Sequence, residues 1–339
     1  MAPGPSACFD TSVDLMAPGT DPLDVTRFDI EEAAERLAPW IRRTPVLELE
    51  PGAFGLSGRI ALKLELHQHT GSFKARGAFN RILTAEIDDS GVIAASGGNF
   101  GLGVAYAARA LGHRAEIFVP ASSPSAKIDR IRDLGAQVHV VPGYYAEAFA
   151  ACEERAFETG AAFLHPYDQP TVVAGQGTIA RELDEQVPDL DTVLVPVGGA
   201  GLIGGIAAWC SGAVRVVGVE PERSPTLSAA LEVGQPVDVD VSGVAADSLG
   251  ARRVGLIGFQ IARAWVDRVC LVDDAAIVRA RRALWDAARI AAEPGAAAPL
   301  AALLAHAFEP EPDERVVLVV SGGNADVADL QAPPGPTGP

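Results

Sequence analysis

TVLVPVGGAGLIGG, residues 192–205, contains a strand, a loop and the start of a helix in direct succession. The apolar run TVLVPV is typical of a buried strand, the glycines favour a tight turn, and a helix is predicted from Leu202. The same alternation of short apolar runs and amphipathic helices recurs along the chain from Ile60. It predicts an α/β fold with twisted, mostly parallel sheets flanked by helices. The length of 339 residues favours two such sheets.

The predicted elements follow from hydrophobic periodicity. Strands are expected at 59–66, 91–96, 115–120, 137–141, 161–166, 192–197, 214–220, 268–272 and 315–321. Further helices are expected at 30–38, 75–83, 101–112, 126–135, 145–158, 177–187 and 275–291. Asp29 and Glu32 resemble a capping box that opens the first helix.

Composition excludes several classes of protein. The net charge of −17 argues against nucleic acid as the main partner, because phosphate backbones recruit basic surfaces. No apolar run reaches the roughly 20 residues that span a bilayer, and the N-terminus lacks the pattern of a secretory signal. The four cysteines are far apart and form no C-x-x-C pair. We therefore predict a soluble cytoplasmic protein without a membrane partner.

Both ends of the chain are rich in Pro and Gly and lack periodicity. Residues 1–26 are predicted to be a disordered leader, and residues 331–339 a disordered tail. MAPG occurs at 1–4 and again at 16–19, so Met16 is an alternative start.

The chain has only three lysines among 27 basic residues. Lys63 and Lys127 occur in alternating or amphipathic stretches, which predicts that both are on the surface. Lys74 instead lies in TGSFKARGAFN (70–80), at the start of a predicted helix. A helix N-terminus disfavours a further cation, which would lower the pKa of Lys74 and favour the neutral amine that forms Schiff bases. A solvated loop lysine is the alternative.

Three glycine-containing loops also follow predicted strands, where such folds bind ligands. SGGNF (96–100) precedes a helix, and its N–H groups can bind a carboxylate. VGGAGLIGG (197–205) has the pattern of a phosphate cradle, but not the spacing of a Walker A loop. SGGNAD (321–326) places the hydroxyl of Ser321 at the end of a buried strand. Each loop alone also fits a structural turn; together with an activated lysine they suit pyridoxal phosphate.

The motifs TGSFKARGA, SGGNFG, AGQGTIA, VGGAGLIGG, VEPE, AEPGAA and SGGNAD occur in this order over residues 30–330. In this respect the chain resembles the fold-type II pyridoxal-phosphate enzymes (the tryptophan synthase β-like fold). It is most similar to the threonine/serine dehydratase branch, which also contains serine racemases. The resemblance implies a large cofactor-binding domain formed by residues 27–89 and 166–330. It implies a small domain, residues 90–165, for the substrate carboxylate.

The resemblance also implies roles for residues at matching positions. Lys74 would be the Schiff-base lysine and catalytic base, and Phe73 would flank the cofactor ring. Asn99 would hydrogen-bond the ring hydroxyl, Ser321 would face the pyridine nitrogen, and Glu293 would lie near the cofactor. Backbone N–H groups would hold the phosphate, from Gly198, Gly199, Ala200, Gly201 and Leu202. A second run would hold the substrate carboxylate, formed by Ser96, Gly97, Gly98, Asn99 and Phe100.

The activity implied by the resemblance is α,β-elimination from L-threonine or L-serine by a homodimer. Lys74 would remove the α-proton, the β-hydroxyl would leave, and the product would hydrolyse to a 2-oxo acid and ammonia. Three alternatives remain open. They are a dehydratase of a less common β-hydroxy amino acid, a β-replacement transferase, and a non-catalytic cofactor-binding or amino-acid-sensing protein.

Several positions depart from the family pattern. Ala200 replaces the third glycine of the phosphate loop, which is tolerable if its φ is negative. Gly97 stands where racemases have a second serine, which argues against racemisation. Phe100 replaces the usual His or Ala and could reshape the substrate pocket. Glu220 remains from the family's cation site, but Thr226 stands where an acid is expected, which argues against a bound metal.

Two further expectations follow from the resemblance. Ser321, unlike a carboxylate, does not keep the pyridine nitrogen protonated, which should favour prompt loss of a β-leaving group. The chain ends soon after residue 330, where larger biosynthetic dehydratases continue into a regulatory domain, so we expect no control by branched-chain amino acids.

The remaining candidates carry weaker signals. His67 and His69 form an H-x-H pair without further metal ligands in sequence. Asp168 and Gln176 match family segments that support the structure, and Asp247 is expected to line the substrate entrance. The tryptophans are predicted to be core or interface residues, namely Trp40, Trp209, Trp265 and Trp285.

Overall fold

The computed structural model of the chain describes residues 8–10, 24–56, 58–123, 125–326 and 328–331. Its strands are β1 (Cys8–Asp10), β2 (Val46–Glu48), β3 (Arg59–Leu64), β4 (Val92–Ala95), β5 (Ala115–Pro120), β6 (Gln137–Val141), β7 (Ala162–Leu164), β8 (Thr192–Pro196), β9 (Arg215–Pro221), β10 (Arg268–Val272) and β11 (Arg315–Val320).

The helices are α1 (Arg27–Leu37), α2 (Lys74–Leu83), α3 (Asn99–Leu111), α4 (Ser125–Asp133), α5 (Tyr145–Thr159), α6 (Pro170–Gln186), α7 (Gly201–Cys210), α8 (Thr226–Val233), α9 (Ala246–Leu249), α10 (Leu256–Trp265), α11 (Asp274–Ala288), α12 (Ala298–Leu304) and α13 (Ala328–Gln331). Among the helices in these ranges, none combines the length and the apolar character needed to cross a membrane.

The larger sheet has seven strands in the order β1-β10-β9-β8-β11-β3-β2. Its five inner strands are mutually parallel, and the two edge strands are antiparallel to their neighbours. Both faces are covered, as expected for parallel strands with near-continuous apolar runs. In β11, Val317 and Val319 pack toward α1, α6, α7 and α10, whereas Leu318 packs toward α11 and α12. The α/β prediction is confirmed.

The smaller sheet is wholly parallel, with strand order β6-β5-β4-β7. Helices α3 and α4 cover one of its faces, and α5 covers the other. Phe79 and Ile82 of α2 belong to the same apolar cluster as α3, so α2 lies between the two sheets. The proposed domain boundaries at residues 90 and 165 stay a prediction.

The predicted start of the first helix is wrong by one turn. Thr26 is the N-cap of α1, and its side chain accepts a hydrogen bond from the backbone N–H of Asp29 at 3.4 Å. The Asp29 carboxylate accepts the N–H of Thr26 at 2.8 Å, which completes a capping box. The T-x-x-D spacing at 26–29 therefore caps the helix, and Glu32 is not involved.

Part of the predicted disordered leader, residues 1–26, forms regular structure. Cys8–Asp10 forms β1 and pairs antiparallel with β10, which would otherwise present an unpaired edge. Residues 1–7 and 11–23, with the alternative start Met16, and residues 332–339 lie outside the described residues.

Candidate active site

The four loops selected from sequence meet between the two sheets. The carboxyl ends of β3, β11 and β8 are adjacent in the larger sheet, so the loops that follow them share one edge. Ser72 and Gly322 form an isolated antiparallel bridge that joins the first and last of these loops. Asn99, from the smaller sheet's loop, hydrogen-bonds to Glu293. The structure thus brings together the predicted site residues, although their roles remain predictions.

Lys74 is the first residue of α2, directly after the N-cap Phe73. Its Nζ donates a hydrogen bond to the carbonyl oxygen of Pro166 at 2.8 Å. The same nitrogen lies 5.1 Å from the ring centre of Phe73 and 5.7 Å from that of Phe100. Burial lowers the pKa of Lys74 to about 8. The direction is the predicted one, and its cause is the removal of the amine from water.

Lys63, predicted to be on the surface, is fully buried, so that prediction is wrong. Its strand β3 is an inner strand with both faces covered, and alternation there does not mark a solvent face. The Lys63 Nζ donates to a carboxylate oxygen of Glu182 at 2.5 Å, to Gln186 Oε1 at 2.8 Å and to the carbonyl of Thr44 at 2.9 Å. Burial lowers the pKa of Lys63, while Glu65 and Glu182 oppose that shift.

Arg76, two residues after Lys74, is fully buried beside Lys63. Its guanidinium donates to both carboxylate oxygens of Glu65 at 2.8 Å, and to Glu182 at 2.7 Å. We call Lys63, Glu65, Arg76 and Glu182 the buried ion cluster. It contains two cations and two anions, and it joins the start of α2 to the end of β3 and to α6.

The glycine loop after β8 presents a row of free donors. Within the part of the chain that the structure describes, none of the five N–H groups from Gly198 to Leu202 donates a hydrogen bond to the protein. These groups lie at the N-terminus of α7, where the helix dipole favours negative charge. Unpaired backbone donors at a helix start form an anion site. A Cβ atom at Gly199 would overlap the ring of Tyr167, so this position must be glycine.

Ala200 contradicts the expectation of a negative φ. It is the N-cap of α7 and has φ 65° and ψ 5°, in the left-handed region. The chain must reverse from β8 into α7 within four residues, and this forces the turn. The neighbouring helix accommodates the methyl group because Gly258 has no side chain; a Cβ there would lie 2.8 Å from the Cβ of Ala200.

Asn99 begins α3 and belongs to a polar group that spans the cleft. Its Nδ2 donates to both carboxylate oxygens of Glu293 at 2.8 and 2.9 Å, and its Oδ1 accepts from Asn324 Nδ2 at 2.7 Å. Burial raises the pKa of Glu293, while the bonds from Asn99 and Asn324 oppose this shift. Ser321, 7% exposed, accepts the N–H of Phe73 through its carbonyl oxygen at 3.1 Å. Sequence reasoning missed Asn324, although it lies in the quoted motif SGGNAD.

The loop from Ser96 to Phe100 offers a second set of donors. The N–H of Gly98 is bonded to Ser96 Oγ at 3.3 Å. The N–H groups of Gly97, Asn99 and Phe100 donate to no other described residue. The Phe100 ring is 2% exposed and packs in the apolar cluster beneath α3.

The segment 165–168 lies against Lys74 and the glycine loop. Of this segment, the sequence analysis selected only Asp168. His165 Nδ1 accepts the backbone N–H of Asp168 at 2.9 Å. Burial lowers the pKa of His165 to about 4. Asp168, taken from sequence as a structural support, accepts the N–H groups of Leu256 and Ile257 at 3.1 and 3.0 Å. The carbonyl contact to Lys74 has no sequence signature, because any residue supplies a carbonyl.

Glu220 caps a helix in this chain. Its carboxylate accepts from Thr226 Oγ1, Leu227 N, Ser228 N and Ser228 Oγ at 2.7–2.9 Å. These four bonds occupy both oxygens at the start of α8. No cluster of three or more potential metal ligands occurs among the described side chains.

The weaker candidates lie outside the centre of this site. The ring of His69 stacks on Tyr106 at 4.8 Å, and the carbonyl of His67 accepts from Arg42. Asp247 forms an ion pair with Lys127, whose side chain is 20% exposed, so Lys127 is only partly a surface residue.

Two other residues from the sequence analysis have supporting positions. Gln176 is buried on α6 and lies where a side chain at Gly77 would be, so it fills the space between α6 and α2. Trp209 is buried in the larger core, and Trp265 is 38% exposed.

Comparison with known proteins is consistent with this geometry. The family model described as "Pyridoxal-phosphate dependent enzyme" matches residues 37–322. An L-threonine ammonia-lyase of Geobacter sulfurreducens is 40% identical over 304 residues, which cover 88% of this chain and 75% of that protein.

Two solved structures have the same fold. A threonine deaminase from the organism abbreviated T.th. superimposes with a TM-score of 0.83 at 37% identity, covering 89% of this chain and 99% of that one. Maize serine racemase superimposes with a TM-score of 0.84 at 31% identity, covering 91% of this chain and 96% of that one. Because the family model spans most of the chain, this protein belongs to the family of pyridoxal-phosphate dependent enzymes and has the fold-type II architecture.

Proposed function

We propose that the chain is a dehydratase that converts L-threonine, L-serine or both to a 2-oxo acid and ammonia. The observation that carries this proposal is the Lys74 amine at the start of α2, whose pKa is lowered to about 8 and which bonds to Pro166, next to the Tyr167 that packs on the open row of backbone donors. The names of the relatives, a threonine ammonia-lyase and a threonine deaminase, support the substrate class.

The residues present fit pyridoxal phosphate. The five unpaired N–H groups from Gly198 to Leu202 suit its phosphate, and glycine at 198, 199 and 201 lets Leu249 and Tyr167 pack closely against the loop that carries these groups. Lys74 would bind the cofactor covalently. Three side chains would surround its ring, with Phe73 beside it, Asn99 at its hydroxyl and Ser321 at its nitrogen. Glu293 would hold Asn99 in place through the bonds at 2.8 and 2.9 Å.

When bound, the cofactor supplies an electron sink for the pair of electrons left at the substrate's α-carbon. Lys74 takes the α-proton on Nζ as general base. A buried amine with a pKa near 8 is well matched to proton transfer at neutral pH, since it accepts and releases a proton with little cost. Loss of the β-hydroxyl as water, followed by hydrolysis of the released imine, gives the 2-oxo acid and ammonia.

The substrate carboxylate would bind the loop that begins α3. The unpaired N–H groups of Gly97, Asn99 and Phe100 can each donate to it. Phe100 forms an apolar wall next to Lys74, and this favours a short, uncharged substrate side chain. Racemisation is not proposed. Gly97 supplies no acid–base group on the opposite face, and the Ser123 hydroxyl lies where a side chain at this position would begin.

Cation independence is part of the proposal. The carboxylate of Glu220 is already satisfied by four hydrogen bonds from the first turn of α8. Activity should therefore be the same with and without a chelator, and a loss of more than about tenfold on chelation would contradict this part.

We further propose that the enzyme is a cytoplasmic homodimer. Several large apolar side chains are exposed on the described surface, among them Phe28, Leu256, Trp265 and Val278, and they support burial against a second copy. Light scattering of the purified protein should give twice the chain mass of 35.1 kDa.

The first test is a panel of β-hydroxy amino acids. The purified, cofactor-loaded protein should release 2-oxo acid from L-threonine or L-serine, and Lys74→Ala should abolish the release. Release only when a thiol or another nucleophile is added would favour a β-replacement enzyme. Failure on the whole panel, despite bound cofactor, would contradict the dehydratase proposal.

A further inference from the structure

One peptide group links Lys74 to a histidine. The carbonyl oxygen of Pro166 accepts the hydrogen bond from Lys74 Nζ at 2.8 Å. The N–H of the same peptide unit, which belongs to Tyr167, points to His165 Nδ1 at 3.4 Å. In a trans peptide the C=O and N–H groups point in opposite directions. Lys74 and His165 therefore hold this planar unit from its two sides.

The His165 ring accepts a second backbone N–H of the same turn, in addition to that of Tyr167. Its Nδ1 also accepts the N–H of Asp168 at 2.9 Å, the stronger of the two bonds. Because Nδ1 accepts, the neutral ring carries its proton on Nε2. Burial lowers the pKa of His165 to about 4, so the ring remains a neutral acceptor around pH 7. Gln169 Oε1 accepts the N–H of His165 at 2.9 Å, and Pro166 has no N–H, so the amides that His165 Nδ1 anchors are those at 167 and 168.

The other end of the turn is fixed to the larger sheet's side of the cleft. The Asp168 carboxylate accepts the first two N–H groups of α10, those of Leu256 and Ile257. The Tyr167 ring packs over Gly199, and the Cβ and backbone of Tyr167 lie against Gly201 of the glycine loop. These contacts fix the position of the turn relative to the phosphate cradle. They therefore also fix the position of the Pro166 carbonyl group.

We propose that His165 is a positioning residue for the Lys74 amine. By accepting at Nδ1 it orients the Pro166–Tyr167 peptide, whose carbonyl holds one N–H of the free amine and so restricts the direction of the amine's lone pair. A neutral carbonyl can do this without the charge of a carboxylate, which would keep the amine protonated. The inference rests on the proposed function, in which Lys74 acts as a base.

The test uses the fact that the chain has three lysines. Full-length, cofactor-free protein labelled with ¹³C at lysine Cε gives one carbon resonance per lysine. A held amine makes the two ε-protons of Lys74 inequivalent, whereas free rotation averages them. Lys63 reports on folding in the same spectrum, because it lies in the buried ion cluster.

Two variants at one position form the matched pair. His165→Leu keeps an apolar side chain but has no acceptor, whereas His165→Asn keeps an acceptor on the atom bonded to Cγ. We expect the Lys74 ε-proton signals to merge in His165→Leu and to stay separate in His165→Asn, with Lys63 unchanged in both. Separate Lys74 signals in folded His165→Leu would overturn the proposal.

The cofactor-loaded enzyme supplies the kinetic readout. We expect kcat of His165→Leu to fall about 10- to 100-fold with KM changed less than about threefold, and His165→Asn to recover most of kcat. An equal loss in both variants would contradict a positioning role. If the labelled spectra behave as expected but no substrate yields 2-oxo acid, the proposed function fails and the positioning of Lys74 stands.

A measurement on the unmodified protein covers the case in which His165→Leu does not fold. The ¹⁵N shifts of the His165 ring distinguish its tautomers. A proton on Nε2 and none on Nδ1 is the expected result. A proton on Nδ1 would remove the acceptor and overturn the proposal without any variant.

Discussion

Lys63 and Lys74 are eleven positions apart, and desolvation lowers the pKa of both amines, yet their surroundings differ in kind. The Lys63 amine contacts the carboxylate of Glu182, and two negative charges oppose the effect of burial on its pKa. The Lys74 amine contacts only the carbonyl of Pro166 among the described residues, and burial alone brings its pKa to about 8.

The difference shows how one side chain can serve structure at one site and chemistry at another. A buried lysine paired with carboxylates stays charged and joins elements of the fold. A buried lysine without such a partner loses its proton easily and becomes a nucleophile and a base. Burial is common to both; the local charge balance decides which role each amine can have.

The largest effect is expected when each of the two lysines is replaced, because one replacement should affect activity and the other stability. Lys74→Ala should lower activity by at least about 10⁴-fold and remove the visible absorbance of the covalently bound cofactor, because the amines of Lys63 and Lys127 are paired with carboxylates elsewhere. Its free energy of unfolding should change by less than about 1 kcal/mol, since the amine has one hydrogen bond. Lys63→Met, measured beside it, should lose stability and keep activity per folded molecule; the reverse pattern would contradict the comparison.

The second prediction concerns the buried ion cluster. Arg76→Met removes the partner of Glu65 and one partner of Glu182, leaving a buried carboxylate without its cation. Breaking such a pair costs about 3–5 kcal/mol of unfolding free energy, measurable by urea denaturation. Arg181→Met is the control, because its partners Glu31 and Glu185 have side chains that are 42% and 50% exposed, and it should cost less than about 1 kcal/mol. Equal losses would show that burial of the cluster is unimportant.

The third prediction uses pH. Only the neutral amine of Lys74 can react with the cofactor's aldehyde, and a pKa of about 8 means that its neutral fraction rises with pH up to that value. The rate of cofactor uptake by cofactor-free protein should rise about 50-fold from pH 6 to pH 8 and level off by about pH 9. The appearance of visible absorbance measures this rate, corrected by the reaction of a simple alkylamine. A rate still rising about tenfold per unit at about pH 9.5 would place the pKa at its ordinary value.

The fourth prediction concerns the backbone of the glycine loop after β8. Ala200→Gly relieves a left-handed backbone conformation and should raise the free energy of unfolding by about 0.5–1 kcal/mol, after the entropic cost of glycine. Ala207→Gly, within the same helix α7, should lower it by about 1 kcal/mol. Calorimetry of both variants tests this, and loss of stability in Ala200→Gly would mean that the methyl contact with Gly258 dominates.

The smallest effect is expected at the third lysine. Lys127 has an ion pair with Asp247, but the Asp247 side chain is 64% exposed. Lys127→Met should therefore change the free energy of unfolding by less than about 1 kcal/mol and leave the Lys74 amine titration unaltered. A shift of the Lys74 titration would show that the charge of Lys127 influences the Lys74 amine across the cleft. The comparison of Lys63 with Lys74 does not include such an influence.

Much of the fold could be predicted from sequence because it depends on local periodicity. Strand β10 was predicted residue for residue, and β5 and β6 likewise, since apolar runs bounded by turns encode them directly. Lys74 was identified because glycines and a strand-to-helix change surround it in the chain. The start of α1 was misjudged by one turn, because the pairs Thr26–Asp29 and Asp29–Glu32 have the same three-residue spacing of a capping box.

The residues that could not be predicted depend on distant partners. Glu182 is 119 positions from Lys63, and only the packing of α6 on the larger sheet brings their charges together. Pro166 is 92 positions from Lys74, and it too is brought to its partner only by the tertiary structure. It binds Lys74 through its backbone carbonyl, which every residue has, so its side chain gives no signal in the sequence. The positive φ of Ala200 arises from the angle between β8 and α7, which local residue preferences did not reveal.

The sequence by itself determined the α/β class, the order of the loops and the one lysine that lies in a glycine-flanked strand-to-helix turn, because these depend on neighbouring residues. The tertiary structure decided which buried lysine is neutralised by carboxylates and which is left with a carbonyl. That choice depends on charges brought together over about a hundred residues, and on how completely the two sheets exclude water from each amine.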